Sequence, residues 1–223
     1  MRMKTVAFIP IKMNNERLPG KNTKCFDDGN TIIGFFQKTL LDASVFDEVY
    51  VFCSNERIKD YIISGVNYLN RPEFLDQKTA TPQDIIREFI NRVSADVYAV
   101  CHCTSPFVTK EHIRECVEAV TNGGYDSSFT GEKIQRLMWT ANNVPLNFNP
   151  ECIPRTQDLP VYYNEVSAAY VFKRDVFERL RRRIGENPHI TEVSGIEAID
   201  IDYPEDFEVA NVVYMNVIKK QEL

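Results

Sequence analysis

Three cations, Lys12, Arg17 and Lys21, lie within ten residues of a chain whose net charge is -6. They occupy the loop from Pro10 to Asn22, directly after the apolar run Thr5 to Ile9. Such a run reads as a strand buried on both faces, and a basic loop between it and a following helix is where α/β proteins hold phosphates. The local reversal of sign calls for an anionic ligand. Near the other end, Ala198-Ile199-Asp200-Ile201-Asp202 closes an expected strand from Ile196 to Ile201. Residues i and i+2 of a strand share a face, so at ~3.3 Å per residue the carboxylates of Asp200 and Asp202 start ~6.6 Å apart. Two like charges on one face repel. A magnesium ion held by one or two carboxylates plus substrate phosphates answers that demand. The bland alternative makes Asp202 only the N-cap of a helix beginning at Pro204, and leaves Asp200 without a role.

Other polar groups are weaker signals singly. Thr104-Ser105-Pro106 follows an expected strand from Asp96 to His102, at the carboxyl end where α/β ligands bind. His102 falls at the same strand end and is the histidine best placed to touch a substrate. His112, in the first turns of a helix, and His189, in a Pro-containing loop, are worse placed. Arg71-Pro72-Glu73, Thr79-Ala80-Thr81 and Arg155 with Gln157 are unspecific alone. Cys101-His102-Cys103 looks like a metal clip, but alternate strand residues face opposite sides and no Cys-x-x-Cys pair completes a zinc site. No Ser/His/Asp or Cys/His nucleophile arrangement can be argued.

The elements that must position these groups follow a regular rhythm. Asp47 to Ser54 reads as a second strand and Asn55 to Ile63 as a short helix. Thr81-Pro82 opens a helix to about Val93, with Pro at its first position. Thr109 caps a helix that stops at Gly123-Gly124, and Asp126 to Thr130 is a further strand. The sheet resumes with Ser167 to Phe172. The arginines between 179 and 183 read as the solvent-facing end of an amphipathic helix. Alternating β and α of this kind predicts a mostly parallel, three-layer sheet. The rhythm breaks between Gly131 and Tyr163, a stretch with four prolines and the only tryptophan, Trp139. Loops that long are uncommon unless functional, so it reads as an insertion that packs on a partner subunit or covers the site.

With 223 residues, 43% of them apolar, the chain has material for one large domain. A pI near 5.2 argues against broad nucleic-acid or membrane-surface binding. No signal-like segment precedes the first strand, and no apolar run approaches the ~18 residues a membrane span needs. The six cysteines form no disulfide-like framework. A cytoplasmic protein is the expectation.

In order and spacing, these segments resemble the cytidylyltransferase family that makes CMP-acylneuraminate and related CMP-sugars. The resemblance runs through Ile11 to Asn22, ending in Leu18-Pro19-Gly20-Lys21-Asn22, then Arg71-Pro72-Glu73, Thr79-Ala80-Thr81, Thr104-Ser105-Pro106, Arg155 to Pro160 and Ile199 to Asp202. It implies a Rossmann-like α/β domain of nucleotide-diphospho-sugar transferase type over residues 1–223, with an insertion at about 131–165 for dimerisation. It also implies transfer of CMP from CTP to an acceptor hydroxyl, with release of pyrophosphate and dependence on Mg²⁺. By the same resemblance, Lys21 binds the triphosphate with Arg17 as a further cation. Ile11, Lys12, Asn14 and Asn22 lie along the nucleotide, and Arg71, Thr79 and Thr81 where cytosine and ribose are read. His102, Thr104, Ser105, Arg155, Gln157 and Asn164 fall on the acceptor side, while Asp200 and Asp202 hold the metal.

The departures bear on the acceptor. The family's Arg in the opening loop is Lys12, which keeps charge but loses the bidentate fork. Its Ser-Lys pair is Asn15-Glu16, with Arg17 beside it as a replacement cation. The Gln before the Thr-Ser-Pro turn is His102, the Arg that meets an acceptor carboxylate falls at Asn164, and a nearby Asn at Val166. The expected acceptor is therefore a nonulosonic acid or another acidic molecule, such as a different 2-keto-sugar acid or a phosphate- or phosphonate-bearing metabolite. A nucleotide-binding protein without turnover is the remaining alternative, motivated by Glu16.

Overall fold

Strands and helices alternate along the chain, and the computed structural model describes residues 2–221. The strands are β1 (Thr5–Ile11), β2 (Glu48–Cys53), β3 (Asn67–Asn70), β4 (Val97–Cys101), β5 (Ser127–Ile134), β6 (Tyr162–Lys173) and β7 (Pro188–Val193). Between them run α1 (Ile32–Asp42), α2 (Pro82–Arg92), α3 (Lys110–Thr121) and α4 (Arg174–Leu180), with α5 (Pro204–Val213) after the last strand. One seven-stranded sheet has the order β3-β2-β1-β4-β6-β5-β7, and β6 alone runs antiparallel to its neighbours.

The period of two in β1 sorts its side chains into two layers of core. Ala7, Ile9 and Ile11 pack with α1, α3 and α5, whereas Val6 and Phe8 pack with α2 and α4. On the second face Phe8 stacks on Phe89 of α2 at 3.9 Å between ring centroids, worth about 0.5–1.5 kcal/mol beyond burial. The helix starts follow the caps read from sequence. Thr81 and Asp84 bond reciprocally at α2, and the Thr109 hydroxyl accepts from the His112 N–H at α3. The turn after α3 uses Gly124 at a φ of 82°, a conformation that disfavours any side chain.

Four expectations need correction. The run Ile196–Ile201 is not a strand: the last strand is β7, and residues 195–198 form a turn. Ile201 is fully buried without any ladder pairing, so its apolar character reflects packing alone. The expected helix after Asn55 is a 3-10 turn, Glu56–Tyr61, and β3 had no apolar signal because it is a half-exposed edge. The segment from Gly131 is regular at both ends, since Gly131–Ile134 pair with Tyr162–Glu165 as a two-stranded ribbon. Finally, α4 ends at Arg181 in the left-handed region, and Arg183 folds inward onto Tyr170 instead of facing solvent.

Candidate active site

β1 and β4 are adjacent in the sheet, and the chain leaves them towards opposite edges, β2 and β3 on one side and β6 on the other. The crevice beyond their carboxyl ends is the topological switch point where open α/β sheets bind ligands. Three loops are tied together there. Asn22 donates from its side-chain amide to the Lys12 carbonyl at 3.1 Å and accepts from the Cys103 thiol at 3.5 Å. The Ile201 N–H donates to the Thr104 carbonyl at 2.8 Å. Beyond Lys21, the chain is fastened to the last helices: Phe26 stacks on Tyr214 at 4.0 Å, and the Asp27 N–H donates to the Asn211 side chain at 3.0 Å. This packing sets Lys21 beside Asp202, 181 positions away.

Lys21 Nζ donates to one oxygen of Asp202 at 2.9 Å, and Arg17 reaches the other at 2.8 Å. Burial works to raise the Asp202 carboxyl, but the hydrogen bond and charge of Lys21, then Arg17, hold it below the usual range. The helix-cap reading of Asp202 fails, because Asp206 does that work: its Oδ2 accepts the N–H groups of Asp202 and Tyr203 at 2.9 and 2.8 Å. Asp202 is left free for the cleft. Asp200, two residues earlier, is exposed.

The cleft has a volume of about 430 Å³ and is lined by Lys12, Arg17, Lys21 and Lys78, with Asn14, Asn15, Glu16, Leu18 and Asp202. Lys78 has no sequence motif to announce it. It arrives from the loop before α2 and bonds Glu16 at 3.0 Å, closing a link between two lips of the cleft. Both partners are well exposed, at 79% and 67%, so the link is weak and exchangeable. Glu16 therefore occupies a cation that an anionic ligand could use.

His102 directly follows β4, half-buried, with its ring edge-on to Tyr170 at 6.3 Å. Burial, then the charges of Arg183 and Lys21, push its imidazole down to about 4. It is neutral at pH 7. Between about pH 4 and 6.5 the unfolded chain binds more protons than the folded one, so neutral His102 contributes stability that is complete above 6.5 and lost as pH falls towards 4. His102→Gln should flatten that part of the stability profile by up to about 1.4 kcal/mol per pH unit, read by urea unfolding at several pH values. Equal slopes in the two proteins would refute the assignment.

The remaining sequence candidates divide. Ile11 closes β1 with its side chain in the core. Arg71 is at the carboxyl edge of β3, 2% exposed, its guanidinium paired with Asp76, which also accepts the Ser54 hydroxyl. Thr81 spends its hydroxyl on the α2 cap, and Thr79 is exposed in the loop after Lys78. Thr104 is half-exposed, but Ser105 is fully buried and its hydroxyl has no partner among the described residues, so it does not line an open pocket. Asn22 spends both ends of its amide inside the protein and is a clamp between loops. Arg155, Gln157 and Asn164 do not reach the cleft. Arg155 chelates Asp158 on the surface, the Gln157 carbonyl accepts from Gln135, and Asn164 sits opposite Glu132 in the ribbon. Among the described residues no three His, Cys, Asp or Glu side chains converge as a metal site.

A parallel-rich sheet with a cation-lined cleft at its switch point defines an α/β protein of the kind that holds anionic ligands beyond its strand ends. A sequence model described as Cytidylyltransferase matches residues 6–220, and the chain belongs to that family. It is 29% identical over 214 residues to N-acylneuraminate cytidylyltransferase A of Danio rerio, covering 92% of this chain and 49% of that protein. It is 22% identical to 3-deoxy-manno-octulosonate cytidylyltransferase of Christiangramia forsetii, covering 92% and 94%. The chain thus spans about half the length of the fish N-acylneuraminate cytidylyltransferases it matches. Among solved structures, CMP:2-keto-3-deoxy-manno-octonic acid synthetase complexed with CTP shares the fold at a TM-score of 0.71, with 19% identity over 99% of this chain and 100% of that one.

Proposed function

We propose that this chain transfers CMP from CTP to a hydroxyl of an acidic sugar, an acylneuraminate-like nonulosonic acid, and releases pyrophosphate. The observation that carries the reading is the Arg17–Asp202–Lys21 fork inside a cleft lined by four cations, in a chain of the cytidylyltransferase family. Attack on the α-phosphorus builds charge on phosphate oxygens, and positioning plus preset cations supplies most of the catalysis of such transfers. In this reading Lys21 and Arg17 exchange Asp202 for the triphosphate, Lys12 adds charge from the end of β1, and Lys78 exchanges Glu16. Asp202, released from its cations, and exposed Asp200 would hold Mg²⁺. Two carboxylates without a third protein ligand suit an ion that arrives with phosphate oxygens and water, and do not suit an all-protein cage. When bound, the ion supplies charge neutralisation at the phosphates and acidifies the acceptor hydroxyl.

Pyrophosphate release should be measured with each of the four nucleoside triphosphates and Mg²⁺ against a panel of acidic sugars. Turnover with CTP and an acid supports the reading. Preference for GTP or UTP overturns the cytidine assignment, and tight CTP binding with no release for any acceptor makes the chain a binding protein. Within this function, Glu16→Gln should free Lys78 and tighten CTP binding about two- to fivefold, the range of an exposed ion pair. Unchanged affinity by calorimetry would separate Lys78 from the triphosphate.

We also propose that the chain forms a homodimer through the ribbon and the loop it carries. Leu137, Trp139, Val144, Leu146 and Ile153 are 40–62% exposed along that loop, the kind of apolar exposure that an interface covers. Leu146→Asp should give a monomer in sedimentation equilibrium, and an unchanged mass relative to the native chain would refute this interface. All six cysteines are free thiols, which suits a reducing compartment such as the cytoplasm.

A further inference from the structure

A second cationic seat lies beside His102, outside the cleft lining described above. Between its pairings with Phe129 and Thr130 of β5, strand β6 bulges: Tyr170 opposes Phe129, Val166 opposes Thr130, and Ser167 to Ala169 have no partner on β5. The Thr130 hydroxyl holds the bulge by donating to the Val166 carbonyl at 2.8 Å and accepting from the Ala169 N–H at 3.3 Å. Bulges re-aim side chains, and this one folds Glu165 back onto Tyr170, whose hydroxyl donates to it at 2.6 Å. Arg183 then lies flat on the Tyr170 ring, 3.3 Å from guanidinium carbon to centroid, with one Nη2 bond of 3.2 Å to the same Glu165 oxygen. A stacked guanidinium held by one hydrogen bond is preorganised, and the rest of its five-donor fork has no hydrogen-bond acceptor among the described residues. His102 stands edge-on to the same Tyr170 ring at 6.3 Å, just past the carboxyl end of β4, where its backbone N–H donates to the Ala168 carbonyl at 3.1 Å. The imidazole and Arg183 thus share one aromatic ring near the carboxyl end of β4.

Building on cytidylyl transfer to an acidic acceptor, we propose that Arg183, seated on Tyr170 and Glu165 beside His102, receives the acceptor's carboxylate. A planar carboxylate matches the open side of the fork, and Arg183 is only 23% exposed, so the contact is shielded from water. Arg183 is not among the residues lining the cation cleft, so a carboxylate held there is kept off the phosphates, whose charge would repel it. The guanidinium comes from the loop after α4 and not from the Asn164 position, which faces the ribbon.

The test is acceptor kinetics in CTP-dependent pyrophosphate release, with N-acetylneuraminate, its methyl ester, and 3-deoxy-manno-octulosonate as probes. Native protein, Arg183→Met and Arg183→Lys are compared after matched thermal melting. Arg183→Met should raise the KM for the acid the native chain uses by about 100-fold and leave the KM for CTP within twofold, because one charge-assisted fork is lost at the acceptor only. Arg183→Lys should recover part of the loss. The native preference for the acid over its ester should disappear in Arg183→Met, a readout that a purely structural role would not move. Native turnover with an unchanged acceptor KM in Arg183→Met overturns this assignment and leaves cytidylyl transfer standing. So does a rise in both KM values together. A native chain that binds CTP and turns over no acid overturns the transfer reading, and this inference with it.

Discussion

Asp202→Asn should lower CTP-dependent turnover by on the order of 100- to 1,000-fold while leaving the protein folded. The variant keeps the shape and one acceptor oxygen, but removes the charge that binds Lys21 and Arg17 and that would hold the metal. The α5 cap is unaffected, since Asp206 supplies it. The same change should act in the opposite direction on CTP binding without metal. Lys21 and Arg17 are then free of their carboxylate, and a negative charge next to the triphosphate is gone, so affinity should tighten a few-fold. Titration calorimetry in EDTA reads this arm and steady-state kinetics with Mg²⁺ the other. Full turnover in the variant would remove Asp202 from the chemistry. Weaker metal-free binding would mean that Asp202 organises the two cations more than it competes for them.

Lys21→Met should cost CTP affinity about 10- to 100-fold, the weight of one hydrogen bond from a charged donor. The side chain of Lys21 is 13% exposed, against 54% for Arg17, so its charge is the less screened of the two. Met fills the stem's volume, which keeps the packing at the carboxyl end of β1. The loss should be confined to triphosphate binding, with CMP bound almost as before. Equal losses for CTP and CMP would assign Lys21 to the nucleoside or to loop folding, and no loss would refute the phosphate cleft.

Much of the fold could be read from local pattern. The caps at Thr81 and Thr109 fall where they were expected, because the capping box and Pro82 at α2 and the Thr109–His112 bond at α3 are all satisfied within four residues. β1 and β4 are apolar because both faces are covered. The errors share one cause. Ile196–Ile201 has the composition of a strand, yet it opens in a turn and sends Ile201 into the core without pairing, while Pro188–Val193 pairs with β5 despite an unremarkable sequence. Side-chain burial and ladder pairing are separate demands, and periodicity reports only the first. Thr104-Ser105-Pro106 shows the same limit at the site. Both hydroxyls sit at the correct strand end, but only Thr104 remains partly open, since orientation within a turn depends on what packs behind it.

By itself the sequence determined the alternating α/β order, the basic loop with Lys12, Arg17 and Lys21, and the acidic pair at Asp200 and Asp202. Those are local facts of residue type and spacing. Tertiary structure alone decided that Asp202 answers Arg17 and Lys21, that Lys78 joins them, that Asn22 is spent as a clamp, and that Arg183 turns in upon Tyr170. Each of these depends on which strand ends the sheet order makes neighbours. Contacts across 181 or 62 positions leave no mark in local spacing, because chain separation says nothing of distance once the sheet is assembled.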